Sequence, residues 1–520
     1  MLLSLPLIVF APLLLLLVAC CAPFSPGRRP RRLPRLAEAA TIGALALALA
    51  GLVQLLHSGP ASLAIGHGFL LASFRLDTLS ATMMVLVSFV GWVVVRYTRS
   101  YLDGEAREGA FHGLMLATLA AVMVLVQSGS FAILLLAFAG VGLGLRQLLL
   151  FYPERAEAQR AATKFTLVWG AGDAALCVAA FTLWLVYGMA DLSALSAAAG
   201  ERAPIGAQIA AGLLVLAAAL KTASFPLHGW LTEVMEAPTP VSALLHAGII
   251  NSGGFLLISL AGLLQASPVA MAALVMLGGF TALFGAAVML TQSAVKTALA
   301  WSTVAQMGFM LLQCGLGLWA LALLHIVAHS LYKAHAFLDS GGAVQAVARL
   351  RRPGPVAIPG LWAVAKAFAL ALVLYAMVAT GFGLVIGPKS AQALALGAIL
   401  IFGVAYLVAQ GLADTAPGAL TRRTATAALA AAVAYFSFHV IATSLWGPHL
   451  PEPPTPGALE WALIVLALVT FGLVAIAQAL FPLWAHHPAA AGLRVHLANG
   501  LYLNAALDRM IGGFRTARLN

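Results

Sequence analysis

Apolar residues along this chain gather into about fifteen runs, each close to 18 residues or longer, separated by short polar segments. The runs fall near 2–21, 39–57, 77–96, 111–128, 130–150, 163–187, 206–222, 241–264, 269–290, 297–315, 317–338, 359–383, 394–412, 425–446 and 459–481. Each is long enough, as a helix rising about 1.5 Å per residue, to cross or nearly cross a hydrocarbon layer about 30 Å thick. The pattern therefore predicts an all-α polytopic membrane protein with about fifteen transmembrane helices. No long polar segment interrupts the runs, so soluble-phase chemistry is expected to belong to a partner.

One stretch breaks the pattern. From Lys221 to Gly254 the sequence reads KTASFPLHGWLTEVMEAPTPVSALLHAGIINSGG, with Pro226, Pro238 and Pro240 interrupting the backbone and His246 inside the next apolar run. A lysine at the membrane centre costs roughly 2.5–3.5 kcal/mol on insertion scales, so an ionisable group at that depth is read as functional. Discontinuous helix is tolerated there only inside protein or around a water-filled cavity. Glu233 and Glu236 follow in the same stretch, and Lys164 and Asp173 lie in the sixth run; Glu233, Glu236 and Asp173 are candidate counter-charges for Lys221. Lys164 and Lys296 sit near run ends, where snorkelling and a part in conduction are both open. Asn251, Ser252, Gly253 and Gly254 suit either close helix packing or a polar path. A second interruption is expected at Thr380-Gly381-Phe382-Gly383, with Pro388 and Lys389 beyond it, because paired broken segments mark a midplane pathway between inverted repeats. Lys366, in the twelfth run, is the alternative lysine of that half.

The second constellation is HIVAHSLYKAH, residues 325–335. His325, His329 and Lys333 recur every four residues and stack on one helix face, while His335 projects elsewhere. A histidine pair at this spacing can hold zinc, but no carboxylate or thiolate follows at ligand spacing, so no metal site is assigned. Imidazoles that titrate near neutrality, next to a desolvated lysine, fit a proton relay. The candidate ion pathway is thus Lys221, His246, His325, His329 and Lys333, with His335, Lys296, Lys366 and Lys389 as weaker members and no catalytic residue.

Composition narrows the class. With 62% hydrophobic and 9% charged residues, a soluble multi-domain protein is excluded. The net charge of +11 is spread over short inter-run segments rather than clustered, so it marks orientation in the membrane and not nucleic-acid binding. Arginines recur in alternate loops (Arg28 to Arg35, Arg96 to Arg107, Arg155 and Arg160, Arg349 to Arg352, Arg422 and Arg423), which places the N-terminus outside and the tail cytoplasmic. Cys20, Cys21, Cys177 and Cys314 lie in apolar runs without ligand spacing. Leu17 to Cys20 resembles a lipoprotein cleavage site, yet no Lys or Arg precedes the run, so it is read as the first span. The tail from His486 carries an apolar stripe (Val495, Leu497, Leu501, Leu503, Leu507, Met510) suited to lying on the membrane or docking a partner.

Lys221 through Trp230, Pro238 to Ala243 with His246, Ala300-Trp301-Ser302-Thr303 with Gln306-Met307-Gly308, and the His325, His329, Lys333 ladder together resemble the antiporter-like membrane subunits of respiratory complex I and Mrp cation antiporters. The resemblance is strongest over about residues 75 to 345. It implies inverted repeats with discontinuous helices, divided as N-terminal helices (1–110), a first repeat (111–264), a second repeat (269–412), C-terminal helices (413–485) and an amphipathic cytoplasmic tail (486–520). It also implies that Lys221 and Lys333 carry protons, with His246, His325 and His329 between. Ala139 stands where those subunits place a glutamate, Gly170 where they place an arginine, and their Ser-Lys-Asp-Glu run is absent. The segment HAGIINSGGFLL from His246, the ladder through His335, Leu148 to Glu154, and Val495 to Tyr502 are similar to a narrower family, DabB, the ion-conducting subunit of a bacterial inorganic carbon accumulation complex. That resemblance implies an inner-membrane subunit without a cofactor of its own. Its partner would be a DabA-type cytoplasmic zinc protein related to β-carbonic anhydrases, in which cation flow drives CO2 hydration to bicarbonate. A respiratory NADH dehydrogenase-like or Mrp-type antiporter subunit is the alternative, and a structural membrane anchor a third.

Overall fold

In lipid every backbone N–H and C=O must be paired within the protein, and the apolar runs satisfy this by becoming helices. A computed structural model describes residues 5–200, 202–234, 237–342, 360–411, 418–484 and 487–511. Among them, twelve helices are long and apolar enough to cross a membrane, from Leu7–Phe24 to Ala458–Ala479. Ile205–Lys221 and Ala391–Ala405 are shorter apolar helices, and Val295–Gly315 has the length but carries Lys296, Ser302, Thr303, Gln306 and Gln313. These three complete the set expected from the fifteen runs.

The enclosed centre of the molecule is the interrupted span Thr239–Ser259, 94% buried, whereas Val364–Ile386 is only 11% buried and faces outward. Two breaks occur in the stretch from Lys221 to Gly254. Helix Ile205–Lys221 stops at the lysine, and the chain runs through non-helical residues to the single turn Gly229–Thr232. The next helix, Thr239–Ala247, then breaks at Gly248, whose φ of −121° and ψ of −73° are not helical, before Ser252–Ser259 resumes.

The expected break at Thr380 to Gly383 is absent: Leu361–Ile386 is one helix and ends at Gly387, ahead of Pro388. Glycine weakens a helix by about 1 kcal/mol but keeps its N–H, and in lipid an unpaired backbone group costs more than that. One short two-stranded sheet accompanies the helices. Strands Ala61–Ile65 and Ala72–Leu76 form an antiparallel hairpin, with Ala61 opposite Leu76. The hairpin is joined to the loop after Glu108–Val126 by the Arg75 N–H to Gln127 C=O bond (2.8 Å) and the Gly129 N–H to Ser73 C=O bond (2.7 Å), and that loop is joined to the one after Ala156–Tyr187 by the Leu192 N–H to Gly129 C=O bond (2.9 Å). Arg75 Nη2 reaches Ser259 Oγ, 2.9 Å away, at the end of the interrupted span.

Helices Pro268–Met289 and Val295–Gly315 meet backbone to backbone. A Cβ on Gly278 would lie 2.7 Å from the Gly308 C=O oxygen, and one on Gly308 2.4 Å from the Ala282 N. Small residues permit this approach, the usual basis of tight helix pairing in lipid. It holds Ser302 and Thr303 against the helices that carry the ladder and His246.

Candidate ion pathway

Lys221 is the last residue of its helix, where the unpaired carbonyl end of the helix favours positive charge. Its side chain is fully buried and its Nζ lies 2.6 Å from Asp173 Oδ1. The same ammonium sits 4.3 Å from the centre of the Phe138 ring and 4.1 Å from that of Trp169. Each such contact contributes about 0.5–2 kcal/mol. Trp169 is itself fixed by its Nε1–H bond to the Phe138 carbonyl at 3.2 Å. Of the three candidate counter-charges, Asp173 fills the place. Glu233 pairs elsewhere, and Glu236 lies outside the described residues. Ala139 is exposed while its neighbour Phe138 is buried against the lysine, so a carboxylate at 139 would point away from it.

The second centre lies where Thr239–Ala247, Val295–Gly315 and Trp319–Leu338 converge. Lys333 is fully buried and donates to Ser302 Oγ at 2.6 Å and the Leu299 carbonyl at 2.9 Å. His246 Nδ1 lies 3.0 Å from Thr303 Oγ1, and the ring stacks on Phe337 with centroids 4.3 Å apart. The ladder is present as spaced: the His325 and His329 rings are 5.9 Å apart, and His325 Nδ1 meets Gln313 Oε1 at 2.8 Å. His246 Nε2 and His329 Nε2 are buried without a hydrogen-bond partner among the described residues. A cleft of about 530 Å³ runs beside this ladder, lined by Gln306, Gln313, His325, His329 and Tyr435 among others.

Two polar side-chain pairs involve the interrupted stretch. Thr222 Oγ1 lies 3.1 Å from Ser224 Oγ, and Asn251 Nδ2 donates to Ser330 Oγ at 2.9 Å. The patch from Asn251 to Gly254 combines close packing with a polar contact. Gly253 lets the helix of Lys221 approach, since a Cβ there would lie 2.7 Å from the Ala218 C=O oxygen, while Asn251 bonds across to the helix of the ladder at Ser330.

The weaker candidates separate from these centres. His335 is exposed, away from the ladder. Lys366 is exposed near the start of its helix, over the Trp362 ring, so it is not a buried second-half lysine. Lys389 lies in a loop cleft with His439. Lys296 is half-buried and donates to Thr239 Oγ1 at 2.9 Å, at the head of the interrupted span. Lys164 does not snorkel. It is fully buried and bound to Glu233, to Asn504 Oδ1 at 2.6 Å and to Asp508 Oδ1 at 2.6 Å. Asn504 and Asp508, on the tail helix Leu503–Met510, were not singled out by the sequence; their i, i+4 spacing within an apolar stripe was the available signal. Among the described residues no three His, Cys, Asp or Glu side chains gather as a metal-binding group.

A family model described as NADH:quinone oxidoreductase/Mrp antiporter, transmembrane, matches residues 128–411, and one for the N-terminus of chain 5 of NADH-ubiquinone oxidoreductase (complex I) matches residues 63–112. The chain is 35% identical over 519 residues to the probable inorganic carbon transporter subunit DabB2 of Halothiobacillus neapolitanus, covering 97% of this chain and 93% of that one. It is 43% identical over 282 residues to the probable inorganic carbon transporter subunit DabB of Hydrogenovibrio crunogenus, spanning 54% of each. The structure matches a chain of the Mrp complex from Dietzia sp. with a TM-score of 0.65 at 23% identity, over 98% of this chain and 60% of the other, a likeness of fold.

Proposed function

Since this chain belongs to the NADH:quinone oxidoreductase/Mrp antiporter membrane family and is similar over nearly its whole length to a probable inorganic carbon transporter subunit, we propose that it conducts a cation, H+ before Na+, to drive inorganic carbon uptake. The observation that carries this reading is the pair of fully buried lysines, Lys221 held by Asp173 and Lys333 by Ser302 and the Leu299 carbonyl. A buried donor or acceptor left unmade costs about 1–3 kcal/mol, so the bare nitrogens of His246 and His329 are best explained as relay positions.

The chemistry belongs to a partner. A DabA-type zinc protein at the cytoplasmic face would hydrate CO2 to bicarbonate, with this chain in the bacterial inner membrane, its N-terminus outside and its tail inside. One charge crossing about 100 mV supplies about 2.3 kcal/mol, near fifty-fold in a product-to-substrate ratio, which suffices to make hydration one-way. The test is growth in air of a carbonic-anhydrase-deficient cell that expresses this chain with the zinc partner. Growth that requires both chains and fails with Lys221→Ala or Lys333→Ala is expected. Growth unchanged by both substitutions overturns the reading.

A further inference from the structure

Lys164 lies nine residues before Asp173 on helix Ala156–Tyr187, which places it about 13 Å along the axis from the Lys221 pair, toward the end that carries Arg155 and Arg160. Three oxygen ligands surround its ammonium: Glu233 Oε1, Asn504 Oδ1 and Asp508 Oδ1. Asn504 Nδ2 also donates to Glu233 Oε1 at 2.6 Å. Among the described residues two carboxylates face this one lysine, an excess of one negative charge, with the Lys164 side chain wholly enclosed and those of Asp508 and Glu233 11% and 25% exposed. Glu233 Oε2 is buried and has no hydrogen-bond partner among the described residues, and no N–H or O–H aligns with Asp508 Oδ1 either, which faces the Lys164 ammonium as an ion pair. An uncompensated buried charge is costly, so the site is built to take one further positive charge. The rest of the tail covers the same end: Gly500 packs on Trp301 and His228, and Gln292 Nε2 donates to the Ala498 carbonyl at 3.3 Å.

We propose that Lys164, Glu233, Asn504 and Asp508 form a loading site for a monovalent cation, a proton or Na+, completed by the tail and feeding the Lys221–Asp173 pair. The inference rests on the conduction reading above. Asp508 is then part of the ion path and not merely an anchor for the tail.

The experiment uses the full-length chain in proteoliposomes energised by a potassium diffusion potential, with internal pyranine reporting protons and radiolabelled sodium reporting Na+. Asp508→Asn is expected to lower flux about tenfold or more, and Asp508→Glu to restore most of it, because only the second keeps the charge. Hydrogen exchange over residues 503–510 reports whether the tail stays docked. Loss of flux in Asp508→Asn with a protected tail supports the loading site, and the reporter that loses signal identifies the ion. Parental flux in Asp508→Asn, or a flux loss matched by Asp508→Glu or accompanied by an unprotected tail, overturns it in favour of a packing role. If Lys221→Ala conducts like the parent, the conduction reading itself fails; if Lys221→Ala is silent while Asp508→Asn conducts normally, only the loading site fails.

Discussion

Replacing Asp173 by Asn keeps the shape of the Lys221 site and removes its only carboxylate among the described residues. Breaking a buried ion pair by deleting one charge costs about 3–5 kcal/mol when both partners are enclosed. Here the Lys221 side chain is fully buried but that of Asp173 is 30% exposed, so solvent screening brings the expected cost to about 2–3 kcal/mol. The Phe138 and Trp169 faces stay in place in both proteins and cancel from the difference. If that cost falls on the step that moves charge past Lys221, flux drops roughly 30- to 150-fold, at 1.36 kcal/mol per factor of ten. Proton influx into pyranine-loaded proteoliposomes measures it. Asp173→Glu retains flux within about tenfold of the parent, because the charge is kept and only its reach changes. The decisive arm adds Ala139→Glu to Asp173→Asn: position 139 is exposed, so no rescue is expected. Parental flux in Asp173→Asn, or rescue by Ala139→Glu, would refute the assignment of Asp173 as the counter-charge.

Three further outcomes follow from other contacts. Ser302→Ala removes one of the two groups that hold the Lys333 ammonium, which costs about 1.5–3 kcal/mol for a bond to a charge and should lower flux about tenfold or more in the same assay. Gly308→Leu drives a side chain into the backbone at Ala282, so the detergent-solubilised protein is expected to lose at least about 3 kcal/mol, read as a lower melting temperature or loss of the monodisperse species. Lys366→Ala alters an exposed side chain away from both centres and should leave flux within about twofold of the parent; a silent variant would return Lys366 to the pathway.

The spans were legible because lipid leaves a long apolar run little choice but helix, and Lys221 and the ladder because a charge at that depth is too costly to be incidental. The parts that escaped are those fixed by rotation or by distant contact. Successive helix residues are turned by about 100°, so a one-residue difference decides that Phe138 and not Ala139 faces the lysine. Asp508 meets Lys164 across most of the chain, and no local pattern encodes that pairing. The hairpin pairs its edge with the loop after another helix, and Thr380 to Gly383 stays helical because glycine, unlike proline, keeps its N–H. The same contacts make Lys164 an interior charge, where its place near a run end had left snorkelling open.

The hairpin also bears on how the molecule can move. At its end, main-chain bonds stitch together residues 72–76, 127–130 and 190–192, and Arg75 ties in the interrupted span. Separating those helices would break several bonds at once, each with a net worth of about 1 kcal/mol. At the opposite end the tail helix is held mainly by side chains around one lysine. The two ends of the bundle are thus tied by different means, a main-chain network at the hairpin and one ion-pair cluster at the tail, so loss of a single side chain can release the second and not the first.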